Sequence, residues 1–164
     1  MILVYVFWFV LAMLIHELGH WAAADACGVR ATELGVGWGP RLCGFSRGGV
    51  EFILRALPVG AYVRLDMEGL QRSRLSRQVF VLLAGVLVNL AAAGLARGTW
   101  FGAMNFLLAA TNLLPLYQQD GWKCGIVVLR AALRRRSALV EWSFTIAGGA
   151  ASLALFAAQA LRHY

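Results

Sequence analysis

Residues 1–24 read MILVYVFWFVLAMLIHELGHWAAA, an apolar stretch that is interrupted only by a short polar group at residues 16–20. Its length approaches the ~20 residues that a helix needs to cross ~30 Å of hydrocarbon. Residues 22–24 resemble a cleavage site, but no basic residue precedes the apolar run and the run is long for a secretory leader. The stretch therefore predicts a retained membrane span.

Three further apolar blocks, at residues 79–96, 100–116 and 142–161, approach the same length. Of the 164 residues, 60% are hydrophobic and 14% are charged, against about 45–50% and about 25% in ordinary globular proteins. This composition excludes a disordered chain and argues against a water-soluble enzyme. We predict a mainly α, polytopic membrane protein with about four transmembrane helices.

The arginines predict how the chain is oriented. The formal net charge is +7, but the cations are scattered between apolar blocks, so we predict a membrane partner, the lipid bilayer, and no nucleic acid. Segment 25–77 carries eight Arg and the linker after the third block carries four, whereas the opposite side has only Arg97 and Arg162. By the positive-inside rule, the N-terminus lies outside the cell membrane and segment 25–77 lies at its cytoplasmic face.

Segment 25–77 also contains strand signals. Residues 50–55 and 61–65 are rich in β-branched and aromatic side chains, and residues 46–49 (SRGG) are typical of a turn between residues 41–45 and 50–54. We predict a small β-hairpin or sheet at the membrane surface between the first two membrane helices. An irregular Gly-rich loop is the alternative.

The polar group in the first block is His16-Glu17-Leu18-Gly19-His20. Two histidines four residues apart lie on one face of a helix, close enough to share one metal ion. Glu17 follows the first histidine and can take a proton from a bound water, as in the HExxH motif of zinc hydrolases. Ionisable groups inside a membrane span are costly and are typical of functional sites. A polar cluster that reaches the interface is the alternative.

Asp120 is the candidate for the third protein ligand that a catalytic zinc needs. It follows Trp100 by twenty residues, or roughly 30 Å if the segment is helical, which brings it to the membrane depth of His16 and His20. Zn²⁺ with ionised Asp120 and Glu17 and two neutral histidines carries no net charge, which a low-dielectric site tolerates. An acid at a helix end that binds no metal is the alternative.

Five ordered segments resemble the site-2 protease family of intramembrane zinc metalloproteases, which are M50-type peptidases. Residues 16–20 (HELGH) resemble its first motif, 27–29 with 35–40 its CGV…GxGP stretch, 57–63 its PLGGYV loop, 84–89 its AGPxxN segment and 112–121 its NxxPxxxLDG segment. Val86, Ala61 and Gln119 depart from the family's Pro, Gly and Leu. These departures affect local helix shape and substrate fit rather than zinc binding.

The resemblance implies that His16, His20 and Asp120 bind Zn²⁺ and that Glu17 is the general base. It also implies an intramembrane endopeptidase that cuts peptide bonds in or near the transmembrane segment of a single-pass membrane protein, close to the cytoplasmic side. The alternative is a non-proteolytic membrane metal-binding or adaptor protein of the same fold, which would have no need of Glu17. We expect one core domain over residues 1–164, without a PDZ or CBS module.

Two sets of residues are candidates for contact with the substrate. By resemblance, Asn89 and Asn112 hold the substrate or the developing oxyanion, although from the residues alone they could equally join helices through hydrogen bonds. The predicted strands can offer an unpaired edge to an extended peptide. That edge is formed either by residues 50–54 or by Gly60, Ala61, Tyr62 and Val63.

Overall fold

The computed structural model describes residues 2–134 and 137–162. Its elements, in chain order, are α1 (Ile2–Ala26), β1 (Ala31–Arg47), β2 (Val50–Leu65), α2 (Met67–Arg72), α3 (Leu75–Leu95), α4 (Trp100–Leu113), α5 (Asp120–Leu133) and α6 (Ala138–Arg162). A mainly helical chain with one small antiparallel sheet between the first two long helices is therefore confirmed.

Three of the described helices are long and apolar enough to cross a membrane: the segments at residues 3–26, 75–95 and 138–155. The third apolar block instead gives α4, which has 14 residues and a length of about 21 Å. Leu114 is extended, with φ −64° and ψ 144°, because the residue before a proline avoids the helical region. The expectation of about four spans thus stays a prediction.

The sheet contains more strand than the sequence predicted. Residues 43–47 pair with residues 50–54 across Gly48 and Gly49, which have φ values of +61° and +80°. The first part of β1 runs between two neighbours, since Leu34 pairs with both Val63 and Phe52. Residues 31–40 are Gly-rich and carried no strand signal, yet they form the centre of the sheet.

These pairings decide between the two candidate edges. Phe52 pairs with Phe45 on one side and with Leu34 on the other, so residues 50–54 are interior and the expectation of an edge there is wrong. Residues 61–65 pair with the first part of β1 alone within the described chain. The second candidate segment is therefore the one that lies at an edge.

Helices α1 and α3 approach closely because small residues line their contact. A Cβ added at Gly19 would lie 2.9 Å from Val88 Cγ2 and 3.0 Å from the Ala84 carbonyl oxygen. Ala23, Ala24 and Ala84 are buried in the same region. In a membrane, where apolar burial gives little driving force, such small residues allow the backbone contact that holds helices together.

The cysteines allow a test of this fold. Cys43 is exposed on β1, whereas Cys124 is half-buried on α5 and burial raises the pKa of its thiol. Because the thiolate is the reacting form, iodoacetamide at pH 7.5 should modify Cys43 roughly tenfold faster than Cys124, measured by peptide mass spectrometry. Cys43→Ser should remove the fast phase. Equal rates at the two positions would contradict the placement of α5.

Candidate metal centre

Helix α1 places the two histidines of the HELGH motif side by side. His16 Nε2 and His20 Nε2 are 3.2 Å apart, and each residue is 6% exposed. One helical turn separates the two residues, so the rings project from the same face toward α3. The predicted pairing of these side chains is thus present in the structure.

Asp120 reaches the histidines from the first residue of α5. Its Oδ2 lies 2.9 Å from His16 Nε2 and 3.0 Å from His20 Nε2, and the residue is 4% exposed. The route differs from the expected continuous helix, because the chain turns through residues 114–119 before α5 begins. Gly121 permits this turn, since a Cβ there would collide with the carbonyl of Leu113.

A backbone contact sets the protonation of His20. Its Nδ1 lies 2.7 Å from the carbonyl oxygen of Val81. A carbonyl oxygen can only accept, so Nδ1 carries a proton, and in the neutral imidazole the lone pair of Nε2 points toward His16 and Asp120. A second partner of this kind is typical of histidines that bind metals.

The three atoms fit a ligand set for zinc by their chemistry and spacing. Four-coordinate zinc with bonds of about 2.0–2.1 Å holds its ligand atoms about 3.3 Å apart, close to the observed 2.9–3.2 Å. Two imidazole nitrogens and one carboxylate are a usual catalytic set that leaves a fourth position open. Lone pairs that face one another this closely require a cation or a proton between them.

Gly85 of α3 forms the wall of this site. A Cβ at Gly85 would lie 2.5 Å from His20 Nε2 and 2.7 Å from His16 Nε2. Only glycine therefore leaves room for an ion against these two nitrogens. Sequence reasoning gave Gly85 no role, because its function depends on where α3 crosses α1.

Glu17 connects the centre to the sheet. The half-buried carboxylate accepts a hydrogen bond through Oε2 from the backbone N–H of Val63, at 2.9 Å. Val63 belongs to the edge segment 61–65. The candidate base and the open strand edge are thus in direct contact.

Lys123 is a further residue that the sequence did not single out. Its Nζ lies 3.0 Å from Asp120 Oδ1, and its side chain is 43% exposed. It holds one carboxylate oxygen and leaves Oδ2 facing the histidines. A lone Lys three residues after an acid looks the same in sequence as a solvated surface cation, so no local signal identified it.

The two predicted asparagines behave differently. Asn89 is fully buried, and neither atom of its amide has a hydrogen-bond partner in the described part of the chain. It follows Gly85 by four residues and so lies on the same face of α3. Asn112 is half-buried and donates from Nδ2 to the carbonyl of Leu108, within its own helix. No hydrogen bond joins the two asparagines.

The role of Gly85 gives a test of the site. Gly85→Ala should lower zinc affinity by about 10- to 100-fold or more, the range seen when the surroundings of a metal are altered, because the methyl group occupies the space beside both imidazoles. Elemental analysis after gel filtration measures this. Gly94→Ala on the same helix, where a Cβ meets nothing within 4 Å, is the matched control. Full zinc retention in Gly85→Ala would place the ion elsewhere.

A second variant tests the third ligand. Asp120→Ala should release zinc under mild chelation that leaves the wild type loaded, since two histidines alone cannot complete the set. Asp25→Ala, which removes an exposed acid at the end of α1, should behave like the wild type. Equal retention in both variants would remove Asp120 from the ligand set.

Comparison with known proteins gives a consistent result. A protein of Clostridium acetobutylicum named as a zinc metalloprotease is 33% identical over 86 residues, which cover 48% of this chain and 25% of that protein. A similarly named protein of Neisseria meningitidis is 29% identical over 126 residues, covering 70% of this chain and 27% of that protein. An Arabidopsis thaliana protein named as a membrane metalloprotease is 33% identical over 89 residues, covering 47% and 20%.

The chain thus spans about a quarter of the length of these relatives. Two of these relatives are named as zinc proteins, and the histidine and carboxylate set of this chain has the chemistry of a Zn²⁺ site. The family description that matches residues 4–98, more than half of the chain, is peptidase family M50. This chain, with three described helices that are long and apolar enough to cross a membrane, therefore belongs to peptidase family M50.

Proposed function

We propose that the chain is an intramembrane zinc endopeptidase that hydrolyses a peptide bond in or near the transmembrane segment of a single-pass membrane protein. The observation that carries the proposal is the convergence of His16, His20 and Asp120 within 3.2 Å of one another, beside Glu17 and between helices apolar enough to lie in a bilayer.

In this proposal His16, His20 and Asp120 hold the zinc. When bound, the ion polarises a carbonyl and supplies a nucleophile at neutral pH. Glu17 accepts the proton from the attacking water and passes it to the leaving amine. Val63 fixes one oxygen of Glu17, so the other oxygen is the one available for the proton.

The buried amide of Asn89, unpartnered within the described chain, supports a role for this residue in holding the substrate. A buried amide without partners is uncommon, because an unmade hydrogen bond costs about 1–3 kcal/mol. A substrate carbonyl or the developing oxyanion would satisfy its N–H₂ group. Asn112 is the weaker candidate, since it must first leave the carbonyl of Leu108.

The edge segment supports a way of holding an unwound substrate. A helix in lipid loses internal hydrogen bonds when it unwinds, at a cost of several kcal/mol per unsatisfied group. An extended peptide that pairs along residues 61–65 would recover such bonds by strand addition. Because Val63 contacts Glu17, a peptide on this edge lies beside the proposed base.

The arginine distribution supports the orientation that accompanies this function. Segment 25–77, which contains the sheet, carries eight Arg, so in the proposal the sheet faces the cytoplasm and the N-terminus lies outside. The site lies at the sheet end of α1, and cleavage near the cytoplasmic side follows.

The general base has a direct test. Glu17→Gln should keep zinc and lose cleavage by about 10²- to 10⁴-fold, because the amide fills the same space but cannot accept a proton. The assay incubates protein in nanodiscs with a panel of single-pass peptides and identifies products by mass spectrometry. Glu68→Gln, the same change at an 84% exposed carboxylate, should be fully active.

Two outcomes of this assay would count against the proposal. Full activity in zinc-loaded Glu17→Gln would sink the mechanism. Zinc binding by the wild type without cleavage of any peptide would favour the metal-binding or adaptor alternative.

The strand edge can be tested at one position. The N–H of Val63 points away from β1, toward Glu17, so the N–H of Ala61, two residues before it, points outward as well. Ala61→Pro should lower cleavage severalfold without loss of zinc, because it deletes one outward donor and keeps the pairing with β1. Ala61→Gly retains the donor and is the control. Normal cleavage by Ala61→Pro would make the edge only a scaffold.

Gly60, the first residue of the candidate edge, cannot serve in this test. Its φ is +93°, whereas proline fixes φ near −65°. Tyr62 is also unsuitable. It pairs with Gly35 of β1, and because strand N–H groups alternate in direction, its N–H points toward β1 when that of Val63 points away, so a proline there would disrupt this pairing.

A further inference from the structure

A cavity of about 360 Å³ lies on one face of the edge segment, bordered by Trp38, Arg55, Tyr62 and Arg64 and by the backbone at Gly37 and Gly39. It belongs to neither the metal centre nor the helix bundle. Two of its side chains are guanidinium groups, so its chemistry differs from that of the apolar surfaces around it.

The cavity is built on a buried carboxylate. Glu33 is 8% exposed and accepts a hydrogen bond from the hydroxyl of Tyr62. Arg64 Nη1 lies 3.0 Å and Arg55 Nη2 3.8 Å from its oxygens. Glu33 thus fixes the three polar side chains that form the wall.

The positions of Arg55 and Tyr62 are fixed on other sides as well. Arg55 donates to the Tyr62 hydroxyl from Nε and Nη2, at 3.2 and 3.1 Å, and from Nη1 to the Gly39 carbonyl at 3.0 Å. The Tyr62 ring lies against Gly35, where any Cβ would collide with it. The wall is therefore preorganised, which lowers the entropy cost of binding.

The charge of this cluster does not balance. Two guanidinium groups face a single carboxylate, which leaves one positive charge. The Glu33 side chain is 10% exposed, whereas that of Arg64 is 67% exposed, so a ligand meets the cation. A carboxylate is a natural partner, because guanidinium donors match its two oxygens.

The register places this cavity beside a bound peptide. Side chains alternate along a strand, so Tyr62 and Arg64 share one face of the edge segment. A peptide paired along residues 61–65 would direct every second side chain to that face. Those side chains would lie next to Arg64, which directly follows Val63 and its contact with Glu17.

We propose that this cavity is a substrate subsite for the carboxylate of an Asp or Glu side chain in the extended segment that pairs with residues 61–65. The inference rests on the proposed function and adds a sequence preference to it. A substrate with an acidic residue a fixed distance from the cut is then cleaved in preference to one with the neutral amide.

The test compares Glu with Gln in the substrate. The zinc-loaded chain in phosphatidylcholine nanodiscs is given a peptide that it cleaves. Glu or Gln is placed in turn at about six positions on the cytoplasmic side of the cut, which is the length of an ordinary strand. The readout is the ratio of kcat/KM for Glu over Gln at each position. The ratio does not depend on the active fraction of a preparation, so partial misfolding of a variant does not affect it.

We expect a ratio of about two to five, the range of a partly exposed ion pair, at positions two residues apart. Arg64→Gln should bring the ratio to about one. Glu33→Gln should increase it, because the amide oxygen can still accept the hydrogen bond from Tyr62 while the competing negative charge is removed and both cations remain. Arg47→Gln, at an exposed arginine of the hairpin turn, should leave it unchanged.

Three results would overturn the subsite. A ratio of one at every position, with normal cleavage, rejects the subsite and leaves the protease intact. The cleavage rate could instead change on addition of phosphatidylglycerol in the wild type but not in Arg64→Gln, while the Glu/Gln ratio stays at one. That result assigns the cluster to a lipid headgroup. Absence of cleavage of any peptide by the zinc-loaded wild type rejects the proposed function and the subsite with it.

Discussion

The structure depends on bringing three lone-pair donors together in a place where uncompensated charge is costly. His16 Nε2, His20 Nε2 and Asp120 Oδ2 lie within 3.2 Å of one another and are almost fully buried. They repel one another unless a cation or a proton lies between them, and a buried charge without a partner costs several kcal/mol or more. A bound zinc would therefore link metal binding to helix packing, because it would stabilise the arrangement that creates its site.

Several otherwise unremarkable residues follow from that requirement. Gly85 must lack a side chain for α3 to lie against the imidazoles, and Gly19 must lack one for α1 to meet α3. Gly121 allows α5 to start beside the end of α4, which brings Asp120 to the two histidines. Lys123, whose side chain is partly exposed, then orients the carboxylate through its second oxygen. The three glycines act through the distances that they permit, and Lys123 acts through its hydrogen bond to the carboxylate.

The sheet extends the site beyond the metal. The contact between Val63 and Glu17 joins a strand edge to the candidate base. The proposed site that holds the substrate therefore lies beside the proposed site that activates water. On the same edge, Arg64 and Arg55 surround Glu33 and leave an excess positive charge. The proposed strand addition depends on the backbone of this strand, and the proposed acidic subsite depends on one of its faces.

The sequence alone indicated the long helices, the hairpin turn and the three metal-binding candidates, because these depend on local pattern. Apolar runs of about 20 residues, glycines in a turn and histidines four apart carry their meaning within one element. It could not indicate that residues 31–40 form the centre of the sheet, since those Gly-rich residues have no strand pattern and pair only with distant segments. The end of α4 at Leu113 was missed because apolarity continues past the helix.

Only the tertiary structure decided how these elements meet. Asp120 was found by the depth that a continuous helix would give it, yet it arrives through the turn at residues 114–119. The crossing of separate elements decides which candidate strand lies at the edge. It also decides what Gly85 faces and which oxygen of Asp120 accepts from Lys123. The sequence determined which groups can do the chemistry, since that is a property of residue type and local spacing. Contacts between residues up to 104 positions apart determined their geometry, and no local pattern encodes such distances.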